Sequence, residues 1–143
     1  MSVTEAGFRS EITRAFAGSG VFVRTMTQRF ASGMPDLLTC DRGRTWFLEL
    51  KFIPKHKENP PVSLTELQRF WMRAYQKHGG LAAWVVGIRV TPRLWWAYAG
   101  TDPGAERARS EDRAMTRDIG RPWDVAALMD HLERRAKNGR QGT

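Results

Sequence analysis

The stretch from Asp36 to Lys51 constrains this chain more than any other. Leu37-Leu38-Thr39-Cys40 and Thr45-Trp46-Phe47-Leu48-Glu49-Leu50-Lys51 flank Asp41-Arg42-Gly43-Arg44, the layout of two antiparallel strands joined by a short loop. Side chains alternate along a strand. Glu49 and Lys51 therefore share one face, while Leu48 and Leu50 point the other way, toward a core. If Arg42-Gly43 is a two-residue loop, Leu37 pairs with Leu48 and Asp36 lies opposite Glu49, on the same face. Arg-Gly is not the preferred pair for such a turn, and a glycine bulge would shift this register by one residue.

Around this hairpin the pattern predicts helices. Thr4 followed by Glu5, Phe8, Ile12, Ala15 and Phe16 reads as a capped amphipathic helix stopped by Gly18-Ser19-Gly20, with Glu11 beside its apolar stripe. Val21 to Thr27 is rich in β-branched residues and reads as a strand, followed by loop signals at Ser32 and Gly33. Residues 54–62 hold three prolines and two lysines beside His56, an exposed basic loop. Ser63 or Thr65 then caps a helix with Leu64, Leu67, Trp71, Ala74, Tyr75 and His78 on one face, ended by Gly79-Gly80. Leu81 to Val90 reads as a buried strand and Trp95 to Ala99 as another.

The order is α-β-β-β-α-β plus additions: an α/β fold with a mixed central sheet flanked by helices and an extra C-terminal helix. Residues 105–118 alternate charge signs with few large apolar side chains, which predicts an exposed helix or a mobile segment. Pro122 opens a last amphipathic helix through Trp123, Ala126, Ala127, Leu128 and Leu132, and residues 137–143 read as a polar, disordered tail. At 143 residues the chain is about one domain long. The expected division is a core over 1–99 and a C-terminal extension over 100–136 that packs on or near it.

Charge narrows the partner. With 23 Lys and Arg against 15 Asp and Glu, the net +8 favours polyanions, nucleic acid first among them. One cysteine, Cys40, precludes an intrachain disulfide and suits a reducing interior. No signal-peptide pattern or apolar stretch of membrane-spanning length is present, so a cytoplasmic protein without a membrane partner is expected. His56, His78 and His131 lack zinc-ligand spacing and read as surface or edge residues. The glycines mark turns and form no phosphate-binding loop, which argues against a nucleotide cofactor.

Two carboxylates placed opposite one another repel unless a cation joins them. Oxygen-only ligands select a hard ion, magnesium or manganese. A metal held by Asp36 and Glu49 would orient a phosphate and promote ionisation of an attacking water, with Lys51 positioning or deprotonating that water. The bland alternative is a turn-capping Asp36 and a Glu49–Lys51 pair on a solvated sheet face.

The whole string GMPDLLTCDRGRTWFLELK, residues 33–51, resembles the motif of the PD-(D/E)XK nuclease superfamily, whose fold is that of the restriction endonucleases. Within it the chain looks most like the VRR-Nuc domains of phages and bacteria and the archaeal-type Holliday junction resolvases. The resemblance covers roughly residues 5–99. It implies a Mg2+-dependent endodeoxyribonuclease, with Mn2+ as a substitute, in which Asp36 and Glu49 bind metal, Glu11 on the first helix supports them, Lys51 handles the water and Gln68 is the helix glutamine after the hairpin. The loop between Lys51 and that helix is longer and more proline-rich than is usual for these families.

The implied substrate is branched DNA, above all a four-way junction. Arg24, Arg29, Ser32, Lys55, His56 and Lys57 are the expected DNA contacts, since basic side chains on either side of the motif can hold backbone phosphates. Flap, restriction-like or DNA-degrading nucleases of the same fold are the alternatives, as is a non-catalytic DNA-binding accessory protein. A homodimer is expected, because two strands of a symmetric junction need two sites. Trp95 and Trp96 must send one ring to each side of a strand, and one of them is the candidate dimer contact.

Overall fold

The computed structural model describes residues 4–26, 33–118 and 120–141. Helix α1 (Glu5–Gly18) starts at Thr4, whose hydroxyl accepts the Gly7 N–H at 3.0 Å, and buries Phe8, Ile12, Ala15 and Phe16. Then come β1 (Phe22–Thr25), β2 (Leu37–Asp41), β3 (Arg44–Ile53), α2 (Glu66–Lys77), β4 (Leu81–Arg89), β5 (Leu94–Gly100), a 3-10 turn at Ser110–Asp112, β6 (Arg113–Asp118) and α3 (Val125–Gln141). This is the expected α-β-β-β-α-β order with two further strands and a last helix.

Among the described residues the strands form one sheet in chain order, β1 to β6. Neighbours are antiparallel except β3 and β4, which run parallel and are joined through α2. The sheet is mixed, with helices on both faces.

Alternation in the central strands divides the core in two. Leu48 and Leu50 of β3 and Ala83 and Val85 of β4 pack with Phe8, Ile12 and Phe16 of α1 and with Leu128 and Leu132 of α3. Their neighbours in β4, Ala82, Trp84, Val86 and Ile88, join Val62, Leu64, Met72 and Tyr98 on the α2 face. Each large apolar side chain fully buried in this way stabilises the fold by about 1.5–3 kcal/mol. Gly87 is required by this packing, since a Cβ there would stand 2.5 Å from the Phe8 ring.

Four expectations change. Residues 105–118 form neither an exposed helix nor a mobile segment: β6 pairs with β5, and Ala108 is buried, with its N–H bonded to the Pro60 carbonyl at 2.8 Å. Their charge pattern misled because an edge strand accepts charged side chains on its open side while burying one residue, here Met115. The face of α2 also differs. Met72 is its buried residue, whereas Leu67 and Phe70 are 55% and 68% exposed. His131 is buried, not at the surface, and its Nε2 donates to the Ala99 carbonyl at 2.9 Å, while burial holds its pKa down. Finally, α3 continues to Gln141, into the segment expected to be a disordered tail.

Trp95 and Trp96 do face opposite ways. Trp95 is in the α1 core, stacked on Phe52 with ring centroids 5.4 Å apart, and Trp96 lies on the α2 side under the Arg113 guanidinium. Among the described residues no helix is long and apolar enough to cross a membrane.

Candidate active site

The site is built by the register of the β2–β3 hairpin. Arg42 and Gly43 both adopt positive φ, 55° and 76°, and close a two-residue loop between the paired Asp41 and Arg44. Such a turn follows the twist of the strands and leaves no extra residue to bulge. The ladder then runs to Leu37 opposite Leu48. Asp36, one residue beyond it, meets Glu49. Asp36 Oδ2 accepts the Leu50 N–H at 2.8 Å, which fixes the carboxylate over β3. Its Oδ1 lies 3.3 Å from Arg9 Nη2.

Glu49 is only 4% exposed. Burial pushes its carboxyl up to about 9, helped by a hydrogen bond to Asp36 and by the Asp36 charge, with Lys51 opposing and Glu5 adding to the rise. At neutral pH Glu49 is therefore protonated and donates to Asp36. Glu49 keeps its proton because an anion there would be both desolvated and set beside the Asp36 charge. Lys51, two residues on along β3, is half-buried.

Gly33 sets the approach of the loop that carries Asp36. Its φ is +84°, and a Cβ there would stand 2.4 Å from the Leu67 carbonyl oxygen. Both the backbone conformation and the contact exclude a side chain. Gly33→Ala should cost about 2 kcal/mol or more and displace Asp36. A thermal melt, together with a divalent-cation titration, checks this: an unchanged melting temperature and cation affinity would show that the loop adapts.

The structure brings together Asp36, Glu49 and Lys51, and does not bring Glu11 to them. Glu11 lies about 240° around α1 from Glu5 at 100° per residue, and it is ion-paired with Arg117 of β6. Glu5 and Arg9, four residues apart on one side of α1, are the first-helix residues that act on the pair. Sequence reasoning missed both. The signal was available in their shared helical face. Gln68 is engaged as a helix cap: its Oε1 accepts the Thr65 N–H at 2.9 Å and its own N–H bonds to the Thr65 hydroxyl at 3.1 Å. This capping box fixes Thr65, rather than Ser63, as the start of α2.

Lys55, His56 and Lys57 are exposed directly after β3, with the His56 ring 6.0 Å from that of Trp96. Arg24 is exposed on β1, above the Phe22 ring. Arg29 and Ser32 lie outside the described residues.

No family model and no curated protein matches this chain. Solved structures do. A VRR_NUC domain is 24% identical, with 62% of this chain and 87% of that one covered at a TM-score of 0.45. Hjc of Archaeoglobus fulgidus, a Holliday junction resolvase from an archaeal hyperthermophile, is 13% identical, with 65% and 74% covered and a TM-score of 0.45.

The donors present suit a hard divalent cation. Among the described residues no cluster of three His, Cys, Asp or Glu forms a ready cage, so the protein's side-chain contribution is the Asp36–Glu49 pair. Few protein ligands and several retained waters are the usual arrangement for magnesium. The proton kept on Glu49 beside Asp36 marks where positive charge is needed.

Proposed function

We propose that this chain is a metal-dependent DNA endonuclease that hydrolyses phosphodiester bonds in branched DNA, with the four-way junction as preferred substrate. The observation that carries the proposal is the buried Glu49 carboxyl set against Asp36, with Lys51 on the same strand face. A sheet that needed only stability would not bury a carboxyl against a second acid. The resemblance of residues 33–51 to the nuclease motif supports the same reading, and the net charge of +8 suits a polyanion.

Asp36 and Glu49 would hold Mg2+, or Mn2+ in its place, and the cation when bound supplies charge stabilisation on the phosphate oxygens and a lower cost of ionising water. Lys51 holds the attacking water by hydrogen bonding. The water oxygen forms a bond to phosphorus, the bond to the leaving sugar oxygen breaks, the water sheds its proton to solvent and the leaving oxygen takes one up. Lys55, His56, Lys57 and Arg24 bind backbone phosphates on either side of the cut, and Arg29 and Ser32 are assigned the same role from sequence. Contacts of this kind read shape, not base identity, which favours branched DNA.

Two cuts on a symmetric junction call for a two-fold homodimer. Trp95 is buried in the core, so Trp96 is the remaining aromatic contact candidate. Lys51→Ala should lower cleavage about 100-fold or more while leaving cation binding within about threefold, because an ammonium cannot coordinate a metal. Calorimetry showing cation affinity lost with this change alone would contradict the role. Substrate choice is tested by single-turnover cleavage of a labelled four-way junction, a flap and a linear duplex at equal concentration. Faster cutting of the junction is expected, and equal rates on all three would remove the junction preference.

A further inference from the structure

Arg9 stands where a cation would have to go. Besides the hydrogen bond from Glu49, both carboxylate oxygens of Asp36 have a partner: Oδ2 accepts the Leu50 N–H and Oδ1 faces Arg9 Nη2. The Leu50 N–H belongs to β3, which is paired to β2 on one side and β4 on the other, so it cannot withdraw without breaking the sheet. Arg9 is different. It is a long, flexible side chain on α1, about one third exposed. Its Nε is buried without a hydrogen-bond partner, a cost of about 1–3 kcal/mol for an unsatisfied donor. A guanidinium with an ion pair at 3.3 Å and an unused Nε donor has reason to take a further acceptor.

We infer that Arg9 is the internal counter-ion of the cation-free site, and that it leaves Asp36 Oδ1 to a divalent cation and transfers its planar fork to a non-bridging oxygen of the scissile phosphate. The inference rests on the nuclease reading above. Guanidinium is suited to this exchange because it binds carboxylate and phosphate with the same bidentate geometry. Arg9 then keeps the DNA-free protein weak in its hold on divalent cations. DNA relieves the competition by offering Arg9 another anion, so cation and DNA bind cooperatively, each raising the affinity for the other by the same factor. Cleavage is thereby confined to protein already seated on DNA.

The test is Mn2+ binding to DNA-free protein, followed by electron paramagnetic resonance, in wild type, Arg9→Gln and Arg9→Lys. Arg9→Gln removes the competing charge and should bind Mn2+ at least about tenfold tighter, yet cleave a four-way junction about 100-fold more slowly at saturating Mn2+. Arg9→Lys keeps the charge without the fork. It should bind Mn2+ within about threefold of wild type and still cleave slowly. Should Arg9→Gln fail to fold, the wild-type Arg9 Nε–H resonance supplies the answer, since it should shift on Mg2+ addition. Unchanged or weaker Mn2+ binding by a folded Arg9→Gln, or an unmoved Arg9 resonance with Mg2+ bound, overturns the inference and leaves the nuclease reading standing. Failure of both wild type and Arg9→Gln to bind Mn2+ overturns both.

Discussion

Glu49→Gln should abolish cleavage and at the same time make the cation-free protein more stable in mild alkali. The amide keeps the size of the side chain and can donate to Asp36 as the protonated acid does, but it cannot supply a charged ligand. Loss of at least about 1000-fold in single-turnover rate is expected, with DNA binding nearly unchanged. The stability effect follows from linkage. Glu49 is held at about 9 in the folded chain against an ordinary 4.5. Between those values the unfolded chain releases the proton and the folded chain keeps it, so stability falls as pH rises and levels off only above the folded value. Glutamine has no proton to lose. At pH 8 the variant should therefore exceed wild type by on the order of 2–4 kcal/mol, with little difference near pH 4. Urea melts at the two pH values measure this directly. Equal stability at both, or retained turnover, would show that Glu49 is not a desolvated acid at the reacting centre.

Cation affinity should be the most pH-sensitive property of the protein. Binding to Asp36 and Glu49 requires the Glu49 proton to leave, so each bound cation releases about one proton and the apparent affinity rises about tenfold per pH unit. The rise should continue toward pH 9 and flatten there, where Glu49 is already ionised. From pH 6 to pH 8 the gain is about 100-fold. Mg2+ titration calorimetry in buffers of different ionisation enthalpy counts the protons released. A pH-independent affinity with no proton release would mean that the cation binds elsewhere.

The sequence was most legible where local geometry leaves few choices. The sequence left two registers, a two-residue loop or a glycine bulge; Arg42-Gly43 closes the two-residue loop, and pairing of Asp41 with Arg44 then carries the register down to Asp36 and Glu49. Arg42 is an unusual occupant of a left-handed position; it pairs with its neighbour Asp41 and with Asp130 of α3, and only the second of these lies beyond the reach of local sequence. The helix assignments failed in a different way. Three- and four-residue spacing placed Leu64, Trp71 and Tyr75 on the packed face, as the structure has them, but also Leu67, which is exposed, while Met72 supplies the buried contact instead. Glu11 looked suited to the site by residue type. The shared helical face of Glu5 and Arg9 was legible in the sequence, but the docking of α1 decides that this face turns toward Asp36 and Glu49 while Glu11 turns to Arg117. β6 was hidden by its own charges, because its pairing partner β5 lies across an intervening turn and not in an adjacent hairpin. Gln68 carried two meanings, a motif glutamine and the third position of a capping box, and its hydrogen bonds express the second.

The central claim is that Asp36 and Glu49 form the cation-dependent centre of a phosphodiesterase. The most direct test is a time course of a labelled four-way junction incubated with purified protein in Mg2+ or in EDTA, with Asp36→Asn alongside. Strand cleavage by the wild type in Mg2+, absent in EDTA and absent in the variant, is the expected result. Cleavage that persists in EDTA or in Asp36→Asn, or no cleavage in either Mg2+ or Mn2+, would contradict it.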